Sequence, residues 1–208
     1  MRTLVIDSAT EACSVALLDH AALVAGACAV LGRGHAEHLV PMIAALPDRG
    51  RADAILVNRG PGSFTGIRVG LAAARALALA WGVPLRGYGC GDLVAVMALA
   101  ADRGEGHDPA AVDVVMNAGH GEWFFQPFDG AGVPLAAVLS LPPADVIARA
   151  RAPIAAGTTA ALLAEQTGVR ARVLHPDARA AGLIDPARFA EDTAPVYGRA
   201  PDARPLSA

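Results

Sequence analysis

Charged side chains are scarce in this sequence. Asp, Glu, Lys and Arg make up 18% of its 208 residues, against about 25% in an average soluble domain. The formal net charge is −3, so the chain lacks the excess of Lys and Arg with which a protein holds nucleic acid by itself. We therefore expect RNA to be contacted only indirectly, through a partner, and part of the surface to be apolar and kept for that partner.

Cysteine is also rare. Cys13, Cys28 and Cys90 lie far apart and form no C-x-x-C pair, which is typical of reduced thiols in the core of a cytoplasmic protein. Acidic residues interrupt the apolar segments near the N-terminus, and neither a secretory signal nor a membrane span is evident. The sequence therefore predicts a cytoplasmic protein that does not contact a membrane.

One glycine-rich stretch dominates the first half of the chain. The apolar run 54–57 predicts a buried strand, 60–66 is the turn Gly-Pro-Gly-Ser-Phe-Thr-Gly, and 66–81 predicts a long helix. Ser63 or Thr65 is expected to cap this helix. Free backbone N–H groups at such a helix start suit an anion. Because the turn lacks the Lys and the Ser or Thr that follow in a P-loop, close packing is favoured over phosphate binding.

The helix after this turn carries almost no charge. Only Arg68 and Arg75 are charged, and they lie on one face because they are seven positions apart. A helix that is apolar nearly all round is normally buried on most sides, either by its own domain or by a partner. We expect this helix to be a docking surface. Small residues that admit a close backbone approach recur along it at helical spacing: Gly66, Gly70, Ala73 and Ala74.

The order of predicted elements repeats in the two halves of the chain. The first half has strands at 3–6, 13–18, 23–30, 54–57 and 85–88, with helices at 35–46, 66–81 and 92–101. The second half has strands at 112–116, 122–128, 134–139 and 154–156, with helices at 143–150 and ending at 166. This repetition predicts an internal duplication.

The duplication predicts an α/β fold of two ribonuclease-H-like lobes, as in actin and the sugar kinases, each with a mixed five-stranded sheet flanked by helices. The breaker-rich stretch 101–109 places the first lobe at 1–105 and a smaller second lobe at 106–208. The first lobe is expected to bind the partner, and a nucleotide cleft is expected between the lobes. The proline-rich end predicts an extended tail that can return to the first lobe, after short helical pieces near Ala178 and at 187–191.

Several motifs resemble one protein family. The segments 4–17 and 35–41, the long string 60–74 and the shorter pieces 195–197 and 201–203 resemble the TsaB (YeaZ) family of bacterial tRNA threonylcarbamoyladenosine synthesis. The resemblance implies membership of the actin-like ATPase superfamily, pairing with the metal-bearing catalytic paralogue TsaD, and help from the ATPase TsaE. It also implies a scaffold, with no catalytic residue of its own.

Under this resemblance the chain is a non-catalytic activator of the complex that transfers a threonylcarbamoyl group to an adenosine of tRNAs that read codons starting with A. A homodimer is expected to use the same face when TsaD is absent. The residues implied at the partner interface are His35, His38, Leu39, Met42, Gly66, Arg68, Val69, Gly70, Ala73, Ala74 and Leu77.

The resemblance leaves at most a vestigial nucleotide site. In an actin-type phosphotransferase, acidic groups on both sides of the cleft hold Mg²⁺ and phosphate, but Asn117 stands where the family usually has Asp. We expect no cofactor of the chain's own, and at most a weak or interface-shared ATP or ADP with Mg²⁺. Asp7 is equally well explained as the cap of a turn. The residues of the vestigial site are Asp7, Ser8, Thr10, Gly60, Gly62 and Ser63.

The residues give less support to a metal site or to a catalytic nucleophile. His35 and His38 are close to the spacing of a metal pair, but no third ligand stands nearby and no metal site is predicted. Ser63 and Thr65 lack a neighbouring base that would make either a nucleophile. Two alternatives stay open: a stand-alone actin-fold kinase or ATPase that depends on Asp7, and a glycoprotease-like peptidase that needs a metal or an activated nucleophile.

Overall fold

The structure is a computed structural model that describes residues 1–198. The strands of its first sheet are β1 (Arg2–Asp7), β2 (Ala12–Asp19), β3 (Ala22–Val30), β4 (Ala54–Asn58) and β5 (Leu85–Tyr88). They lie in the order β3-β2-β1-β4-β5, with β1, β2 and β3 antiparallel and β1, β4 and β5 parallel. The sheet is mixed because short turns join the first three strands, whereas parallel neighbours need helical crossovers.

The second sheet repeats this topology. Its strands are β6 (Ala111–Gly119), β7 (Glu122–Asp129), β8 (Leu139–Leu141), β9 (Ile154–Ala156) and β10 (Arg170–Arg172). They lie in the order β10-β9-β6-β7-β8, with β6, β7 and β8 antiparallel and β6, β9 and β10 parallel. Each strand therefore has a counterpart in the first sheet, and the predicted α/β fold of two mixed five-stranded sheets is confirmed.

The helices flank these sheets. They are α1 (His35–Ala44), α2 (Phe64–Trp81), α3 (Cys90–Gly104), α4 (Pro143–Arg149) and α5 (Ala160–Thr167), with short 3₁₀ turns at Pro47–Gly50, Ala178–Leu183 and Pro186–Arg188. Leu93 of α3 packs in one apolar cluster with Leu56 of the first sheet, and Val94 packs in another with Val112 of the second. The helix α3 therefore joins the cores of the two lobes.

The bounds of α2 follow from its end groups. Ser63 Oγ accepts the N–H of Gly66 (3.3 Å), and Gly82 ends the helix in the left-handed conformation (φ 66°). The 18 residues of α2 have a mean hydropathy of 1.2, which satisfies the length and composition of a membrane span. Its Ile67 and Ala74 are nevertheless buried in the core of the first lobe, as in a helix of a folded domain. The cytoplasmic location stays a prediction.

Short elements differ from the sequence-based prediction. Of the predicted strand 134–139, Pro134 forms only an isolated bridge with Phe128, because proline has no N–H to donate to a ladder. The strand β10 was missed because Arg-Ala-Arg shows no apolar run. The second helical piece of the tail is shorter than the predicted 187–191.

The end of the described chain lies along the first lobe. Ala190 and Gly87 exchange two backbone hydrogen bonds of 2.8 Å at the edge strand β5, and the N–H of Val196 donates to the carbonyl of Arg59 (2.7 Å). These bonds satisfy backbone groups that the sheet edge would otherwise leave open. Residues 199–208, which contain the 201–203 part of the family resemblance, lie outside the described residues.

Candidate functional site

An open cleft of about 820 Å³ lies between the two lobes. The first lobe borders it with the turn between β1 and β2 and with the start of α2. The second lobe borders it with the β6–β7 hairpin and the loop after β9. The lining residues with polar side chains are Thr10, Glu11, Ser63, Arg68, Asn117, His120, Thr158 and Tyr197.

Asp7 ends β1 but does not line this cleft. Its side chain is buried and accepts hydrogen bonds from Asn58 Nδ2 (2.7 Å), Tyr88 Oη (2.9 Å) and the N–H of Ala9 (3.2 Å). Burial raises the pKa of Asp7 from 3.8 to about 6, against the opposing effect of these hydrogen bonds. Asp7 is thus the centre of a closed network joining β1, β4 and β5. Both of its oxygens accept hydrogen bonds from these neighbouring donors.

The glycines before and within α2 leave no room for side chains. A Cβ on Gly62 would overlap the carbonyl oxygen of Ala9, and a Cβ on Gly66 would overlap that of Ser8. Ser8 Oγ also donates to the carbonyl of Gly66 (2.8 Å). These contacts hold the start of α2 directly against the end of β1. The turn therefore serves close packing, the interpretation that the sequence favoured.

The cleft is poor in acidic groups. Within the described residues, Glu11 is its one lining carboxylate. Asn117 is neutral: its Oδ1 accepts the N–H of Gly119 (2.9 Å), and its own N–H donates to Thr158 Oγ1 (3.0 Å). This donor set does not fit the binding of Mg²⁺ and phosphate by carboxylates of both lobes. Of the residues predicted for the vestigial site, Thr10, Gly62 and Ser63 line the cleft, whereas Asp7, Ser8 and Gly60 do not.

The solvent-facing side of α2 is mostly apolar, and Arg68 and Arg75 are the charged residues on it. Ala72 and Ala76 are exposed there, and Leu79 is 86% exposed. On the neighbouring helix α1, Val40 is 62% exposed. Apolar side chains that are contiguous and open to solvent are a common mark of a protein–protein contact. We name this surface the α2 face and define it by Ala72, Ala76 and Leu79.

The tail covers the charged edge of α2. Arg75 donates to the carbonyl of Thr193 (2.9 Å), and Arg68 Nε donates to Tyr197 Oη (3.1 Å). The Arg68 guanidinium also lies over the Phe64 ring, 3.5 Å from its centroid. The rings of Phe64 and Tyr197 are 5.0 Å apart. Neither ring stands out in the sequence by a pattern of its own, and only the 195–197 part of the family resemblance points to Tyr197.

Known proteins are similar to this chain in fold and in sequence. The solved structure of YeaZ from Pseudomonas aeruginosa is similar with a TM-score of 0.74 and 30% identity, covering 94% of this chain and 99% of that one. An uncharacterised protein of Mycobacterium tuberculosis is 33% identical over 218 residues, covering 98% of this chain and 94% of its own length. The chain belongs to the TsaB/YeaZ family.

Two further similarities cover only part of this TsaB/YeaZ chain. The Escherichia coli "tRNA threonylcarbamoyladenosine biosynthesis protein TsaB" is 41% identical over 92 residues, which are 42% of this chain and 39% of that protein. The family model described as "TsaD: tRNA N6-adenosine threonylcarbamoyltransferase" matches residues 29–139. That range includes both α1 and α2. The match to the E. coli protein spans less than half of its length.

The interface residues implied by the TsaB/YeaZ resemblance fall into different environments. His38 and Arg68 are exposed, Met42, Val69, Ala73 and Leu77 are partly buried, and His35, Leu39, Gly66, Gly70 and Ala74 are buried in the first lobe itself. The buried group packs within its own lobe, and the assignment of all eleven residues to a partner interface stays a prediction. The close approach that Gly66 and Gly70 permit is to Ser8 of the same chain.

His35 and His38 do not act together. Nε2 of His35 donates to the carbonyl of Thr10 (2.7 Å), and Nδ1 of His38 donates to the carbonyl of Gly34 (2.8 Å). One ring is buried and the other exposed. Each histidine therefore fixes a different piece of local backbone in this TsaB/YeaZ fold.

One other group of side chains has metal-ligand chemistry within the described residues. Asp102, Glu105 and His107 bring their ligand atoms within 4.8 Å of one another. Arg170 and Arg172, however, pair with the Asp102 carboxylate at 2.8 and 2.7 Å. The carboxylate thus has two cationic partners, and the group ties α3 to β10.

Proposed function

We propose that this chain acts in tRNA threonylcarbamoyladenosine biosynthesis as a non-catalytic subunit that pairs with a TsaD-type catalytic subunit. Support comes from its TsaB/YeaZ family membership and from the printed names of its E. coli and Haemophilus influenzae relatives. Further support comes from the TsaD family match over residues 29–139. The chain would then act by holding and ordering the catalytic subunit.

The observation that carries this proposal is the α2 face. Ala72, Ala76 and Leu79 are open to solvent, and the tail engages the arginines at the edge of the helix. A stable complex of ordinary size buries about 800 Å² on each partner, and partner surfaces of this kind have few charges at their centre. The α2 face has this character, because its three residues are uncharged and the two arginines beside them are engaged by the tail.

Ala76→Glu tests the pairing. We expect this substitution to weaken binding of a TsaD-type protein at least about 100-fold, because it buries an unpaired carboxylate in an apolar contact. Ala161→Glu is the matched control, since Ala161 is exposed on α5 of the second lobe. Both variants are compared with the wild type by calorimetric titration, after circular dichroism has established folding.

Equal binding by the wild type and a folded Ala76→Glu variant would contradict pairing through this face. The function itself is tested by reconstitution with tRNA, threonine, bicarbonate, ATP and the other proteins. Omission of this chain is expected to abolish threonylcarbamoyladenosine formation. Modified tRNA formed at an unchanged rate without it would contradict the subunit role.

The remaining partners follow from the same proposal. A TsaE-type ATPase joins the assembly, a homodimer uses the α2 face when the catalytic subunit is absent, and tRNA is contacted only through the complex. The chain needs no cofactor of its own. Any ATP or ADP with Mg²⁺ is bound weakly or is shared with the partner at the interface.

A further inference from the structure

The guanidinium of Arg68 is held in position at the wall of the cleft. It stacks 3.5 Å from the Phe64 ring centroid and uses Nε to bond Tyr197 Oη. Among residues 1–198, its two terminal nitrogens have no hydrogen-bond partner and no carboxylate lies within ion-pair distance. Arg170, Arg172 and Arg188, in contrast, all pair with carboxylates. Within this part of the chain, Arg68 thus presents a positive charge without a carboxylate partner, and free donors, to the cleft.

Hydroxyl groups on both lobes add further donors. Thr10 Oγ1 accepts the N–H of Ala12 (3.3 Å), and Thr158 Oγ1 on the opposite lobe accepts the N–H of Asn117 (3.0 Å). Ser63 Oγ is likewise an acceptor for α2. A hydroxyl that accepts from the backbone keeps its own proton to donate. These three protons are therefore available to a ligand between the lobes.

The Asn117 side chain also has donors available to a ligand in the cleft. Because its Oδ1 accepts the N–H of Gly119 (2.9 Å), its NH₂ group is the free end. Guanidinium, hydroxyl and amide donors of both lobes thus line a cleft in which, among residues 1–198, Glu11 is the one carboxylate. Such a set recognises an oxyanion directly, with charge-assisted hydrogen bonds. Phe64, Phe124 and Met116 offer apolar contact to the rest of the ligand.

We propose that this cleft binds a small organic anion of the carboxylate or phosphate class directly, without a metal ion, through Arg68 and the hydroxyls of Thr10, Ser63 and Thr158. The site is independent of the pairing proposed above, because the α2 face lies outside the cleft. The tail completes the site, since Tyr197 orients the guanidinium.

Phenyl phosphate and phenylacetate are the probes, and benzyl alcohol is their neutral counterpart. Binding to the full chain is followed by chemical-shift changes in ¹H–¹⁵N spectra, with and without EDTA. We expect saturable binding of at least one anionic probe, unchanged by EDTA, and much weaker binding of benzyl alcohol. The stronger of the two anionic probes identifies the carboxylate or the phosphate class.

Arg68→Gln is expected to weaken binding of the anionic probe at least about tenfold, through loss of charge-assisted bonds. Arg75→Gln is the matched control, because Arg75 also holds the tail from α2 but does not line the cleft. Thr158→Val, on the other lobe, is expected to weaken binding about fivefold. If Arg68→Gln fails to fold, the effect of Thr158→Val on probe binding tests the site in its place.

Three results would overturn this site. The first is the absence of saturable binding of either anionic probe below about 10 mM. The second is an equal effect of Arg68→Gln and Arg75→Gln, or full binding by Thr158→Val where Arg68→Gln does not fold. The third is binding that requires Mg²⁺.

Discussion

Gly66→Ala is expected to lower the free energy of unfolding by about 3 kcal/mol, the upper end of the range for overpacking of a well-packed core. The new Cβ would overlap the carbonyl oxygen of Ser8, and that carbonyl belongs to the backbone that leads out of β1. The helix can move away only by giving up the hydrogen bond from Ser8 Oγ to the carbonyl of Gly66 (2.8 Å). Urea unfolding followed by circular dichroism measures the loss.

Gly104→Ala is the control for the same exchange in a helix. Gly104 ends α3, and a Cβ there would meet no atom within 4 Å. Alanine is favoured over glycine in a helix by up to about 1 kcal/mol, so this variant is expected to match or slightly exceed the wild type. Similar unfolding midpoints for both variants would contradict the close contact between α2 and β1.

Asp7 makes the chain less stable as the pH rises through the acid range. Its pKa is raised from 3.8 to about 6 because the side chain is buried. Between these values the unfolded chain releases the proton while the folded chain keeps it, so stability falls with increasing pH. The free energy of unfolding falls by about 3 kcal/mol in total. This loss is complete well above pH 6 and absent well below the unfolded-state pKa of 3.8.

Asp7→Asn removes this titration. Asp92 and Asp113, whose pKa values burial also raises, remain in both proteins and cancel in the comparison. The expected result is a free energy of unfolding that falls from pH 3 to pH 8 by about 3 kcal/mol more in the wild type than in the variant. Parallel pH profiles from urea titrations would show that Asp7 does not keep its proton in the folded state.

The local sequence was sufficient for the architecture of the first lobe. The apolar run before Gly60, the capping Ser63 and the terminal Gly82 define the strand, the helix start and the helix end, because each acts on neighbouring residues. The second lobe was harder to predict. Its short strands, such as Arg170–Arg172, have no periodicity, and their pairing depends on distant residues.

The candidate site was harder to predict from the sequence, because its contacts join residues that are distant along the chain. The spacing of Gly66 and Gly70 indicated a close backbone approach but could not show whether the approaching chain was a partner or β1 of the same molecule. Asp7 was recognisable as a polar strand end. Its closed network with Asn58 and Tyr88, however, joins three strands whose order the sequence did not define.

The path of the tail has a consequence for synthesis of the chain. Ala190 pairs with Gly87 of β5, and Val196 bonds Arg59, so the first lobe receives its last backbone hydrogen bonds from residues translated more than a hundred positions later. Domains generally fold in order as they leave the ribosome. In this protein the nascent first lobe therefore keeps an open edge until residues 190–196 have left the ribosome.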